Sequence, residues 1–175
     1  MQNQNIKIID VLILLKDYSK AQKTAYGILD EYMYYKAYEL FKTAQKPLLI
    51  IALSTSNHPP YPKVYESISK ANLSGKINEK LPKNTYENLN NYAYANSEFG
   101  KFVSKIKASD LKDKIIIAAT GDHRVRDMKI DPLREKAFAY SVPFYLYVPQ
   151  IYQKIFIMIN TALPLTRTFF LRFMS

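Results

Sequence analysis

Two short, unbroken apolar runs limit what this chain can fold into more than any other feature. Leu48-Leu49-Ile50-Ile51-Ala52-Leu53 and Ile115-Ile116-Ile117-Ala118-Ala119 contain no polar residue at all. Each is short for a helix and lacks the polar alternation of a strand with one wet face. Both are therefore expected as strands buried on two sides of a parallel sheet. Each ends in a polar segment carrying a histidine: Ser54-Thr55-Ser56-Asn57-His58-Pro59-Pro60-Tyr61-Pro62 after the first, Thr120-Gly121-Asp122-His123 after the second. The prolines of the former cannot continue a ladder. A third apolar stretch, Val142 to Val148, follows an Arg-rich loop.

Helical periodicity separates these runs. Leu29, Met33, Ala37, Leu40 and Phe41 recur at helical spacing over Ile28 to Thr43, and Gln45-Lys46-Pro47 ends the segment. Residues 63–85 suggest a short helix and a polar connection ending at Pro82. From Tyr86, the series Leu89, Tyr92, Asn96, Phe99, Val103, Ile106 steps by three and four, predicting a long helix with one buried seam and Thr85 as N-cap. Helices alternating with apolar strands give an α/β fold, a mostly parallel sheet with flanking helices.

The 175 residues, 48% of them apolar, suit one domain with a packed core. The net charge of +10 would suit a polyanionic partner. The lysines, however, stand singly from Lys7 to Lys154, with no basic run interleaved with stacking aromatics, so nucleic acid is not the expected partner. With no cysteine there is no disulfide and no thiolate metal site. The apolar run Ile6 to Leu15 is broken by Lys7 and Asp10 and falls short of the roughly 18 residues of a spanning helix. No small-residue cleavage site follows it. On these grounds the chain carries no export signal or membrane anchor and, expressed alone, is expected in the cytoplasm.

Chemistry in an open α/β sheet gathers outside the carboxyl ends of the strands. The chain's two histidines, His58 and His123, each stand just past the end of a predicted core strand. Parallel strands would bring both to one sheet edge; the alternative is two ordinary loop histidines. Asp122 and His123 pair a carboxylate with an imidazole, and Gly121 is expected to free the backbone so that both turn toward one ion. Such a donor pair suits Mn or Zn better than Mg or Ca. A complete site needs about four ligands, and no third is evident. Arg124 and Arg126 could grip a phosphate or sulfate, or belong to a solvated loop with Asp127 and Asp131. No P-loop, dinucleotide fingerprint, nucleophile elbow or zincin motif is present.

Four motifs in order carry a family resemblance. They are Gly27-Ile28-Leu29-Asp30-Glu31, Thr55-Ser56-Asn57-His58-Pro59-Pro60-Tyr61, Tyr94-Ala95-Asn96-Ser97-Glu98-Phe99-Gly100-Lys101-Phe102 and Thr120-Gly121-Asp122-His123. Residues 26–149 thereby resemble the C-terminal part of the extracytoplasmic domain of the lipoteichoic acid synthase family, in the sulfatase-like branch of the alkaline phosphatase superfamily. The resemblance implies a partial alkaline phosphatase-like fold. It also implies a metal-activated Thr, Ser or Cys nucleophile that attacks a phosphate or sulfate ester through a covalent intermediate. Asp122 and His123 match the family's Asp-His metal ligands, His58 a histidine on the substrate's anionic group, and Arg126 a loop arginine that assists. Implied substrates are phospholipid head groups and sulfate or phosphate esters. Many members carry N-terminal membrane helices that place this domain outside the membrane.

The departures are equally specific. Residues 1–25 match nothing in the family, and neither the nucleophile nor the Glu ligand has a counterpart, so no catalytic residue is assigned. The expectation is a fragment, inactive alone, whose missing half could be separately encoded. Its incomplete sheet should expose apolar edges and favour aggregation. The alternative is a non-catalytic, pseudogene-type product or an anion- or metal-binding module. Beyond Pro149 the family continues with a segment like S-H-K-D-I-x-P-T-L, which is absent. Permitted codons for Ile155 to Ser175, read one base early, give FYYDKHRFASHKDIFPTLYE, which contains it. Residues 150–175 are accordingly expected to be an out-of-frame tail.

Overall fold

Residues 21–62, 85–123, 129–131 and 133–153 are described in a computed structural model of the chain. The expectations for 63–84, for Arg126 and for most of the two end segments lie outside these residues. The elements are α1 (Asp30–Thr43), α2 (Thr85–Lys107), β1 (Ile117–Thr120), α3 (Lys136–Tyr140) and β2 (Phe144–Tyr147).

Helix α1 begins close to where the periodicity places it. Asp30 and Glu31 in its first turn and Lys42 in its last complement the helix dipole. Leu29, the residue before it, supplies no side-chain cap. The cap comes from a distant loop instead: Ser56 Oγ accepts the Asp30 N–H at 2.9 Å. The inward face of α1 is Ala37 with Tyr34, Tyr38 and Phe41, while Met33 and Leu40 are only half-buried.

In α2 the buried residues are Asn91, Tyr94, Glu98, Phe102, Val103 and Ile106. The first half of the helix is thus turned by about one residue, or 100°, from the expected seam. Tyr92 is 48% exposed, and Asn96 bonds the Tyr92 carbonyl at 2.7 Å on the exposed side. Thr85 is the first residue of the helix rather than a cap before it. The two helices meet through aromatic faces, with Tyr34 stacked on Phe102 at 5.1 Å between ring centroids. Leu111, Ile115 and Ile117 complete the core.

The sheet differs from the expectation in three respects. Strand β1 pairs with β2 in antiparallel register, Ile117 opposite Tyr147 and Thr120 opposite Phe144, so the ladder among the described residues is not parallel. The 23 residues between the strands, 121–143, are enough for either sense of pairing, so the apolar runs alone did not fix the direction. The second apolar run is buried on one face only, with Ile115 and Ile117 buried and Ile116 exposed. Leu48 to Leu53 forms no ladder among the described residues. Ile50 packs on the core, while Leu49, Ile51 and Leu53 are 60%, 89% and 79% exposed. This run thus presents apolar side chains to solvent.

Candidate functional site

Two loops present the residues in question. The first is the Thr55–His58 turn, fastened to residues 24–30. Asp30 Oδ1 accepts the backbone N–H groups of Thr55 at 3.1 Å and Ser56 at 3.2 Å. Thr55 Oγ1 donates to the Ile28 carbonyl at 3.0 Å, and Thr24 Oγ1 donates to Thr55 Oγ1 at 3.3 Å. The His58 N–H closes the turn on the Thr55 carbonyl at 3.2 Å.

The His58 ring is fixed on two sides. Its Nδ1 lies 2.7 Å from the Pro59 carbonyl. A carbonyl can only accept, so Nδ1 carries the hydrogen and Nε2 is the nitrogen left to meet a ligand. Tyr26 covers one face, with ring centroids 4.2 Å apart at 60°. Asp30 is almost fully buried, and this burial raises its pKa above the ordinary carboxylate value against the opposing pull of its hydrogen bonds to Thr55 and Ser56.

The second loop leaves the C-terminal end of β1. The Gly121 N–H bonds the Pro143 carbonyl at 3.3 Å, so the turn starts from a closed strand end. Asp122 Oδ1 accepts the His123 N–H at 2.9 Å, and Asp122 Oδ2 lies 3.6 Å from His123 Nε2. The two side chains therefore share one side of the loop, both open to solvent. This arrangement does not use a left-handed glycine, for no described glycine has a positive φ. The aspartate's bond to the next N–H makes the turn. Nor does space demand glycine: a Cβ there would meet Val142 Cβ at 3.4 Å, an ordinary van der Waals contact.

Asp122 and His123 are thus brought together, whereas His58 belongs to a separate turn whose ring contacts are Tyr26 and Pro59. The carboxylate and imidazole are donors of the right chemistry for a divalent ion. Among the described residues, though, no group of three or more His, Cys, Asp or Glu gathers as a metal would require. Two donors fall short of the about four that a complete site needs. Sequence reasoning missed Tyr26 and the fastening role of Asp30. In the sequence, an acid at the start of a helix reads only as a dipole partner.

The sulfatase family model matches residues 3–170, so the match extends to both sides of residues 26–149 and draws no boundary at either. No curated protein matches the chain. Among solved structures, the chain is similar to a protein in the alkaline phosphatase superfamily from Vibrio parahaemolyticus. The two share 24% identity with a TM-score of 0.57, over 78% of this chain and 31% of that one. At that identity the likeness is one of fold, and this chain spans less than a third of that protein's length. Members of the family and superfamily generally use divalent metals and act on sulfate and phosphate esters. The α/β architecture is part of an alkaline phosphatase-like fold, and the chain belongs to the sulfatase family.

Proposed function

We propose that residues 26–149 form the C-terminal part of the catalytic domain of a metal-dependent transferase or hydrolase of phospho- or sulfo-esters. The motif resemblance favours the lipoteichoic acid synthase type, which transfers phosphoglycerol or phosphoethanolamine from a phospholipid head group. Asp122 and His123 are two metal ligands, and His58 with Arg126 contacts the anionic group of the ester. The observation that carries this reading is the approach of Asp122 Oδ2 to His123 Nε2 at 3.6 Å, just past the end of a core strand. An imidazole beside a carboxylate favours Mn or Zn over Mg or Ca.

An ion held by Asp122 and His123 would supply activation of a nucleophile and neutralisation of charge on the ester oxygens. The residues of this chain hold the ion and orient the anion, His58 through its Nε2. The nucleophile and the remaining acidic ligand are supplied by sequence outside these 175 residues, so the chain alone binds without turning over. In the intact protein the domain works on the outer side of a membrane. Among the described residues no helix is long and apolar enough to cross one. A second reading, a non-catalytic product or an anion- or metal-binding module, draws support from the absence of a third gathered ligand among the described residues.

Calorimetric titration with Mn2+ and Zn2+ tests the assignment. Asp122→Ala and His123→Ala should each weaken binding by about 10-fold or more; equal binding by wild type and both variants overturns it. No phosphodiesterase or sulfatase turnover is expected from the chain with added Mn2+, and turnover abolished by Asp122→Ala would overturn the inactive reading. Restoration of turnover by the missing part of the domain favours the enzyme reading over the second.

A further inference from the structure

Asp30 has no part in the chemistry proposed above, yet it is a buried acid among the described residues. Its carboxyl is 1% exposed, and Oδ1 takes two backbone N–H groups. Oδ2 is buried with no hydrogen-bond partner. Placing such a group in the interior with one oxygen unsatisfied works against stability. Glu98, also buried, adds a like charge nearby. Stability alone therefore does not account for an acid at this position.

The bonds around it lead to one place. Thr55 gives its N–H to Asp30 at 3.1 Å, its hydroxyl to the Ile28 carbonyl at 3.0 Å, and its own carbonyl to the His58 N–H at 3.2 Å. Ser56, fully buried, gives its N–H to the same Asp30 oxygen at 3.2 Å and accepts the Asp30 N–H on its hydroxyl at 2.9 Å. Asp30 and Ser56 are clasped reciprocally across 26 positions of sequence, and the far end of the clasp is the histidine turn. Two N–H groups converging on one oxygen fix the direction of the peptide planes they belong to. His58 is one hydrogen bond further on.

We propose that Asp30 is the positioning residue for His58. Its buried carboxyl oxygen sets the Thr55-Ser56 turn and thereby holds the imidazole with Nδ1 on the Pro59 carbonyl and Nε2 outward. The requirement is for an acceptor at the place of Oδ1, not for a negative charge. An amide oxygen serves, and so does a carboxyl protonated on its unpartnered Oδ2; the upward pKa shift caused by burial makes the neutral form easier to reach. The consequence for substrate rests on the proposed role of His58 as the anion contact. The positioning itself does not.

NMR of the His58 ring nitrogens and of the backbone amides tests this on the whole chain. Asp30→Asn should keep the wild-type Nδ1–H tautomer. Asp30→Ala should let the ring average between tautomers and should speed exchange of the Ser56 and His58 amides about tenfold or more, with the amides of Phe102 and Ile106 unchanged. Asp30→Glu keeps the charge but lengthens the arm, and should displace the His58 signals even if Asp30→Ala does not fold. Wild-type His58 signals in Asp30→Glu, or loss of the tautomer in Asp30→Asn, overturns the proposal. Titration of the same samples with inorganic phosphate separates the two readings. A His58 ring that ignores phosphate while still responding to Asp30 substitutions removes the anion role and leaves the positioning intact.

Discussion

Gly27 lies against the clasp, where a Cβ would come within 3.0 Å of Thr55 Oγ1 and 3.3 Å of its Cγ2. Thr55 cannot yield freely, because its hydroxyl is already committed to the Ile28 carbonyl. Gly27→Ala should therefore overpack the turn and cost about 1–3 kcal/mol, seen as a lower urea midpoint with an unchanged slope. A midpoint equal to wild type would show that the turn yields without cost. At this scale the sequence was partly legible. Asp122 and His123 could be named because adjacent donor residues are visible as a pair. The reason they meet could not, since it depends on a backbone bond from His123 to Asp122 Oδ1 rather than on the glycine beside them. Asp30 was invisible as a fastener because its partners lie 25 and 26 positions away.

Among the elements, both long helices were legible, and Val103 and Ile106 in the second half of α2 are buried as the spacing predicts, but the facing of its first half was not legible. Tyr and Asn fit either side of a helix, so the pattern of Leu89, Tyr92, Asn96 and Phe99 looked like a seam. Burial instead selects Asn91, Tyr94, Glu98 and Phe102. If that rotation is right, Phe102→Ala should cost about 3–5 kcal/mol, whereas Tyr92→Ala should stay within about 0.5 kcal/mol; comparable losses in denaturant midpoints would contradict it. Tyr34, stacked on Phe102, supplies a pH test of the same packing. Burial, then the charges of Asp30 and Glu98, push its phenol from 10.0 up to about 12. A raised pKa means the folded state holds the proton more tightly. The stabilisation is full below the unfolded value near 10 and is lost as pH rises through about 12. Denaturation at a series of pH values should show a steeper loss of stability across that interval in wild type than in Tyr34→Phe. Identical slopes would mean the hydroxyl is not held in the helix interface. The strands misled for a different reason. An unbroken apolar run predicts two covered faces, but covering needs neighbours, and Ile51 is 89% exposed.

That exposure is a property of the whole molecule. The chain covers 31% of the solved structure it resembles in fold, and its apolar runs are only partly covered among the described residues. Fold class and family were legible because the four motifs stand in order along the chain, while the sheet was not, because an apolar run does not fix which strand it pairs with or in which sense. For the segment beyond Pro149, which the family model matches as far as residue 170, a slip of the reading frame is our proposal. Over Ile155 to Ser175 the first two bases of most codons are nearly fixed, and third-base choice alone must convert the string into a family-like one. The shifted reading yields S-H-K-D-I-F-P-T-L without a forbidden codon. Chance would have to satisfy each consecutive junction in turn, which becomes less credible with every added residue. A frame slip between about Pro149 and Ile155 requires it only once. Sequencing the gene tests the account directly: the bases of codons 155–175, read one base early, should spell FYYDKHRFASHKDIFPTLYE, and any other string removes it. Restoring that frame should replace the last residues with the family segment and leave the Asp122-His123 pair unchanged, so Mn2+ affinity measured on the repaired chain should equal or exceed that of the present one. A repaired chain that binds Mn2+ more weakly would show instead that residues 150–175 belong to the protein as they stand.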